Sequence, residues 1–175
     1  MFSVMADYKK FYIQQQTFDG TTYSNVGSRI DTYATFGVVC QECPFKFLPE
    51  SKDLPKRDWY DEHGDDVFVP ADGLRMKAYD MEVEFLYVGN VADIATQVKA
   101  FISFIYGRNT GGSPLLEIYD EYTQTGRRNV VVQSVSDELY FYDDVEIDAI
   151  AQFKAKFKVN DPVYEVSLPS NSSSS

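Results

Sequence analysis

Apolar and polar residues alternate almost without interruption between residues 146 and 159. The apolar positions are Ile147, Ala149, Ala151, Phe153, Ala155, Phe157 and Val159, with Ile150 as the single exception among the polar ones. A period of two predicts one strand with a buried face and a solvated face. This strand is longer than the usual roughly 3–10 residues, and long two-faced strands are typical of sandwiches, barrels and sheets that join other sheets. The pattern therefore favours a structural building block over a catalyst.

Shorter β-prone segments occur on both sides of this strand in the sequence. We predict strands at residues 11–18, 32–40, 74–88, 115–122, 129–136, 138–142 and 163–168. The turn signal Asp19-Gly20 ends the first of them. Residues 21–30 are polar and contain Gly27, so they are predicted to form a loop.

One amphipathic helix is predicted between residues 91 and 106. Its apolar stripe at helical spacing consists of Val91, Ile94, Ala95, Val98, Phe101, Ile102 and Ile105. Asn90 is a suitable N-cap, and Gly107 marks the end of the helix. About eight strands and one helix predict a mainly β fold, which is a β-sandwich or rolled pair of sheets with one packed α-helix.

A single β domain is predicted for residues 1–168. The chain has 175 residues, which is long enough to bury one core without disulfides or metals. Residues 44–73 are rich in proline and charge, so we expect a long loop outside the core. Loops of this length in a compact domain usually have a task or a partner. Residues 169–175 form a serine-rich tail that is predicted to be disordered.

The charge of the chain limits its partners. Its 16 basic and 27 acidic residues give a net charge of −11, and such a surface repels phosphate backbones and anionic membranes. No apolar stretch approaches the roughly 18 residues of a membrane-spanning helix, and residues 1–10 show no signal-peptide pattern. We therefore expect a protein made in a reducing cytoplasm, with no membrane partner and no specific binding of nucleic acid.

Two groups of residues consist of side chains that can act as metal ligands. Cys40 and Cys43 have the spacing of a zinc or redox pair, but no second pair exists and His63 is the only histidine. Two ordinary thiols are therefore predicted. Residues 58–66 place five carboxylates around Gly64. Their spacing does not match an EF-hand loop, which favours a solvated acidic turn over a calcium site. We predict no metal and no cofactor.

Catalysis finds little support in the sequence. It contains no Gly-x-Ser-x-Gly, no phosphate-binding loop and no Gly-x-Gly-x-x-Gly, so we predict that the protein is not an enzyme. Two alternatives stay open. One is a hydrolase that uses a pair of carboxylates, and the other is a small β-sandwich module that binds carbohydrate or calcium through aromatic residues and the turn at 58–66.

Four passages of the chain share one resemblance. They are 57–67 (RDWYDEHGDDV), 77–85 (KAYDMEVEF), the helix at 91–106 and 157–162 (FKVNDP). In this order they resemble tailed-bacteriophage tail proteins of the tail-tube and distal-tail (baseplate hub) type. The resemblance implies a rolled β-sandwich with one helix, in non-enzymatic subunits that assemble as stacked hexameric rings around a DNA channel. It also implies location in the virion tail, assembly in the bacterial host cytoplasm, and other tail proteins as partners. A tail terminator or head–tail connector ring is the alternative within this class.

The ring architecture that this resemblance implies also predicts roles for the charged residues. Copies of the strand 146–159 from neighbouring subunits are expected to complete one another around a channel that DNA crosses without specific binding. The candidate lumen or inter-subunit residues are Asp80, Glu82, Glu84, Lys154, Lys156 and Lys158. The three lysines are awkward in an acidic lumen, so they either pair with carboxylates between subunits or face outward. The candidate inter-ring loop residues are Arg57, Asp58, Trp59, Asp61, Glu62, Asp65 and Asp66.

Overall fold

The computed structural model describes residues 9–136 and 149–168. It is mostly β, with 46% strand and 13% helix, which confirms the predicted fold class. The strands are β1 (Phe11–Phe18), β2 (Tyr23–Asp31), β3 (Val38–Glu42), β4 (Lys56–Asp58), β5 (Asp65–Val67), β6 (Tyr79–Gly89), β7 (Leu115–Asp120), β8 (Thr125–Val135) and β9 (Ala149–Val159). The helices are α1 (Thr32–Phe36) and α2 (Ile94–Ile105), and a 3₁₀ turn (Val91–Asp93) precedes α2.

Seven strands form one antiparallel sheet in the order β2-β1-β7-β8-β9-β6-β3. In a flat sheet the outer strands β2 and β3 would lie about 29 Å apart. They are joined by α1, whose five residues span only about 7.5 Å, so the sheet has to curl until its edges approach each other. Phe11 on β1 and Phe85 on β6 are separated by three strands in the sheet, yet their ring centroids are 5.6 Å apart. The predicted roll is therefore present, but one seven-stranded sheet forms it where a pair of sheets was predicted.

The core lies inside this roll, and α2 packs against it. The buried residues of α2 are Ile94, Val98, Phe101 and Ile105. Phe101 makes the deepest contacts, with ring centroids 5.0 Å from Phe85 and 5.8 Å from Phe153. The helix is close to its predicted position because Asn90 caps the preceding 3₁₀ turn through Ala92 N and Gly107 takes a positive φ after the last turn. No helix in the described residues is both long and apolar enough to cross a membrane.

Strand β9 occupies the interior of the sheet. It pairs with β6 from Ala149 to Val159, and with β8 from Ala155 to Val159. Its alternation is real, since Ala151, Phe153, Ala155, Phe157 and Val159 are buried. The expectation that copies of this strand complete one another is wrong for the part paired on both sides, because its backbone groups are already used within one molecule. Residues 146–148 of the predicted strand lie outside the described residues.

Residues 21–30, predicted as a loop, instead form most of the edge strand β2. The turn at Asp19-Gly20 closes a hairpin in which Phe18 pairs with Tyr23. β2 is polar because an edge strand is solvated on more sides than an interior one. At the register shift of this hairpin, the buried Gln14 side chain donates hydrogen bonds to Val26 O and Gly27 O and so satisfies backbone groups that regular pairing would otherwise use.

The strand predicted at 32–40 is half helix. Asp31 accepts a hydrogen bond from Tyr33 N, and Gly37 ends α1 with φ 68°. These two caps turn a β-prone segment into the short connection between the sheet edges. The strand predicted at 163–168 is also wrong, because this segment is irregular, although Val166 N donates to Gly126 O. Residues 138–142 and 169–175, predicted as a strand and a disordered tail, lie outside the described residues.

Candidate functional site

Residues 44–74, which we call the arm, leave the sheet between β3 and β6. The arm includes the loop predicted at 44–73, and Phe45 near its beginning packs against the core. It also contains a two-stranded hairpin that was not predicted, in which β4 pairs with β5 and Gly64 turns with φ 85°. Backbone hydrogen bonds from Lys52 N to Arg75 O and from Lys77 N to Glu50 O close the base of the arm. The arm therefore has its own pair of strands and is closed at its base by backbone hydrogen bonds.

Arg127 fixes the beginning of the arm to the sheet. Its side chain is 1% exposed, and Nη2 donates a 3.2 Å hydrogen bond to Lys46 O. The guanidinium also lies 6.0 Å from the centre of the Phe45 ring. A buried guanidinium that donates to a backbone carbonyl constrains both the position and the orientation of that backbone segment. Arg127 therefore orients the chain where it leaves the core. No pattern in the sequence indicated this role for Arg127.

Most large apolar side chains that are exposed in the described residues belong to the arm. They are Phe47, Leu48, Trp59, Tyr60, Val67, Phe68, Val69 and Leu74, against four elsewhere, which are Phe18, Tyr122, Val163 and Tyr164. The exposed fractions of Leu48 and Tyr60 are 85% and 100%. Concentrations of exposed apolar surface of this kind mark protein or ligand contacts. The arm is therefore the first candidate interaction surface.

The charged residues predicted for the inter-ring loop surround these apolar groups. Asp65 pairs with Lys56 at 2.7 Å, and this hydrogen bond raises the pKa of Lys56. Arg57 lies 5.9 Å from the ring centre of Trp59. Asp58, Asp61, Glu62 and Asp66 add four more carboxylates to the arm. The arm tip, which we define as residues 57–66, thus combines Trp59 and Tyr60 with five carboxylates.

Neither metal alternative has a ligand cluster in the part of the chain that the structure describes. No group of three or more histidine, cysteine, aspartate or glutamate side chains there could hold a metal ion. In the turn at 58–66, Asp58 and Asp65 are cross-strand partners, and Asp65 is engaged by Lys56. The arrangement is that of a solvated hairpin.

The six candidate lumen residues are brought together on the outer face of β6 and β9. The register places Asp80 opposite Lys158, Glu82 opposite Lys156, and Glu84 opposite Lys154. Two diagonal ion pairs form, Lys154–Glu82 at 3.5 Å and Lys156–Asp80 at 3.7 Å, and Gln152 donates a hydrogen bond to Glu84. The negative charges of three carboxylates and the positive charges of three lysines cancel, so this face of the sheet is not uniformly acidic. The pairs form within one molecule, and exposed pairs of this kind contribute little to stability.

A cavity of ≈ 700 Å³ opens where β3 ends, and we call it the Cys40 cavity. Its lining is Lys9, Val39, Cys40, Gln41, Glu42, Cys43, Pro44, Leu86, Asp120, Tyr122 and Thr123. The carboxylate of Asp120 is engaged locally, because it accepts hydrogen bonds from Tyr122 N and the Thr123 hydroxyl. Sequence reasoning missed this cavity, since its walls come from segments that are distant along the chain.

The two thiols of this cavity differ in environment. Cys43 is buried, with Sγ 3.8 Å from Met81 Sδ, and Cys40 is half-buried at the cavity wall. Burial raises the pKa of the Cys43 thiol well above its ordinary value, and a hydrogen bond with Cys40 and the charge of Asp120 add to the effect. Cys43 therefore stays protonated at neutral and mildly alkaline pH.

Iodoacetamide is expected to alkylate Cys40 first in the folded protein, because only the thiolate reacts and burial keeps the Cys43 thiol protonated, although both cysteines line the cavity. Peptide mass spectrometry after timed labelling at pH 8 would measure both rates. In guanidinium the two cysteines should react alike, which provides the control. Equal rates in the folded protein would contradict the assigned burial of Cys43.

No family model matches the sequence, and no curated protein matches it. The solved structures to which the chain is similar include the following two. One is the SPP1 Dit (gp 19.1) protein, a paradigm of the hub adsorption apparatus in Gram-positive-infecting phages, with 14% identity and a TM-score of 0.47; the match covers 86% of this chain and 50% of that one. The other is the tail of an empty GTA particle with C6 symmetry, with 10% identity and a TM-score of 0.33, over 91% of this chain and 96% of that one. The chain thus spans half the length of the Dit protein, and both structures are of the tail or tail-hub kind that the sequence resembles.

Proposed function

We propose that the protein is a non-enzymatic structural component of a bacteriophage tail. In this proposal it assembles as hexameric rings, stacked around a channel for DNA, and serves as a tail tube or a short distal-tail or adaptor ring. The observation that carries the proposal is the arm, which holds eight of the twelve large apolar side chains exposed in the described residues. The motifs at 57–67, 77–85, 91–106 and 157–162 direct it toward tail proteins.

The exposed apolar side chains of the arm do not belong to the core of their own subunit. The rolled sheet and α2 already enclose a continuous apolar core, and none of the eight exposed arm residues belongs to it. Burying a side chain such as Phe68 or Tyr60 in a partner would contribute roughly 1.5–3 kcal/mol each. An ordered projection with several such groups therefore favours a permanent assembly over a monomer.

The charge of the chain is compatible with passage of DNA. The net charge of −11 keeps phosphates from adhering to the assembled surface. The β6–β9 face alone does not account for this repulsion, since its lysines balance its carboxylates. In the proposal this face lines the lumen or an inter-subunit contact through its balanced pairs, and other acidic residues supply the repulsion.

Mass photometry and negative-stain microscopy of the purified protein would test the assembly. We expect rings with a central channel, and we expect the double variant Tyr60→Ser/Phe68→Ser to dissociate at least roughly 30-fold more readily, because it removes two aromatic anchors. Val163→Ser is the control, since Val163 is 66% exposed but lies outside the arm and outside the lining of the Cys40 cavity. A protein that stays monomeric at high concentration, alone and with other tail proteins, would refute the proposal.

A further inference from the structure

The Cys40 cavity suggests where the arm binds. We propose that the arm tip of one copy docks into the Cys40 cavity of the next copy, with the Trp59 ring as its anchor. This inference rests on the proposed function, because it requires that copies of the chain associate. It adds the receiving site and the direction of the contact.

The sizes and surfaces of the two sites agree. The cavity of ≈ 700 Å³ has Val39, Cys40, Pro44 and Leu86 in its walls, and cavities of roughly 300–1,000 Å³ hold bound groups of several rings. The indole of Trp59 is 45% exposed in its own subunit. An indole combines a large apolar body with one N–H donor, and Gln41 and Glu42 in the lining carry acceptor oxygens for that donor.

Charge also favours a second copy as the occupant. The described lining of the cavity carries one cation, Lys9, and the carboxylates of Glu42 and Asp120. Asp120 accepts hydrogen bonds from Tyr122 N and the Thr123 hydroxyl but keeps its charge, so this lining is net negative. Arg57, which lies beside Trp59, is the cation of the arm tip that matches this net negative lining, while the acidic residues after Trp59 have Lys9 as their partner. Docking of the indole brings Arg57 to Glu42 and an arm carboxylate to Lys9. Cys43 adds no charge, since its thiol is buried and protonated.

The contact joins two different surfaces, so it is head-to-tail. Trp59 is not part of the lining of the cavity in its own subunit, where Pro44 at the root of the arm forms part of the wall. Head-to-tail contacts generate closed rings or helical stacks, whereas contacts between identical surfaces generate dimers. Docking of the arm into this cavity therefore supplies the kind of interface that a ring requires.

Trp59 is the single tryptophan of the chain, so its fluorescence reports this contact without any substitution. As association proceeds with rising concentration, we expect the emission maximum to shift to shorter wavelength and acrylamide quenching to fall several-fold. An emission spectrum that stays constant while mass photometry records association would overturn the docking.

Cross-linking gives a second, independent test. The variant Asp58→Cys keeps the Trp59 anchor and places a thiol at the exposed position next to it. It should form an intermolecular disulfide with Cys40 under mild oxidation by diamide, and trypsin digestion with mass spectrometry should recover the joined peptides. The cross-link should be lost in Asp58→Cys/Cys40→Ser. It should also be lost in Val69→Cys, which places a thiol at a 62% exposed position elsewhere on the arm.

The two proposals fail in distinguishable ways. Rings that show neither the cross-link nor the fluorescence shift would overturn the docking and leave the ring-forming function intact. A chain that does not associate at any concentration or with tail partners would overturn both. Circular dichroism of each variant confirms that the fold is retained before its cross-linking is scored.

Discussion

Replacement of Phe85 by alanine is expected to lower the free energy of unfolding by about 3–5 kcal/mol. Phe85 is fully buried and stands where the halves of the roll and α2 meet, with ring centroids 5.6 Å from Phe11, 5.0 Å from Phe101 and 5.7 Å from Phe153. Removing its ring leaves a cavity that three separate elements would have to fill together. Urea denaturation, followed by circular dichroism, would measure the loss.

Phe47→Ala is the matched control for this prediction. Phe47 is 68% exposed on the arm, so its removal costs little burial within one subunit. We expect its unfolding free energy to stay within about 0.5 kcal/mol of the parent, while association weakens if the arm binds a partner. A similar loss of stability in both variants would contradict the placement of Phe85 at the centre of the core.

The periodic parts of the fold could be predicted from the sequence. The alternation that ends at Val159 is strong because one face of β9 is buried from Ala151 to Val159, and the stripe from Ile94 to Ile105 is strong because α2 covers the same core. Both signals are local consequences of burial, and burial sets the period of each element. Strand β1 was predicted with its observed bounds from its β-prone residues and from the turn signal Asp19-Gly20 that follows it.

The edges of the sheet could not be predicted in this way. β2 carries polar residues because it lies at the edge, and α1 forms because Asp31 and Gly37 cap a segment whose side chains favour strands. In both places the position in the sheet outweighs the intrinsic preference of the residues. Residues 163–168 were predicted as a strand because Val163 and Val166 are β-prone, yet Val166 is buried by packing over Gly126 without regular pairing.

The candidate site was predictable in composition but not in arrangement. The sequence singled out the charges of β6 and β9, and only the register shows that Glu82 and Lys156 are opposite each other in one molecule. It also singled out the region 44–73, yet the exposure of Tyr60 and Phe68 depends on where the arm projects. The Cys40 cavity depends on contacts between distant segments, which no local pattern encodes.

The junction after α2 provides the second large effect. Gly107 has φ 69°, and a Cβ at this position would lie 2.3 Å from Pro114 N and 2.4 Å from Ser113 C. Its own N–H donates to Phe104 O, and Arg108 N donates to Ser103 O, so the helix end is held in place. The backbone before β7 therefore passes directly against this glycine, and neither partner is a flexible side chain.

Gly107→Ala is therefore expected to lower the free energy of unfolding by about 2–4 kcal/mol, which combines the cost of the left-handed conformation with that of displaced backbone. Gly111→Ala separates the two contributions, because Gly111 has φ 70° but no atom within 4 Å of an added Cβ. The control should lose only about 1 kcal/mol. Urea denaturation of both variants measures the difference, which is the cost of the close approach alone. Equal losses would show that α2 and the loop before β7 are not packed together at Gly107.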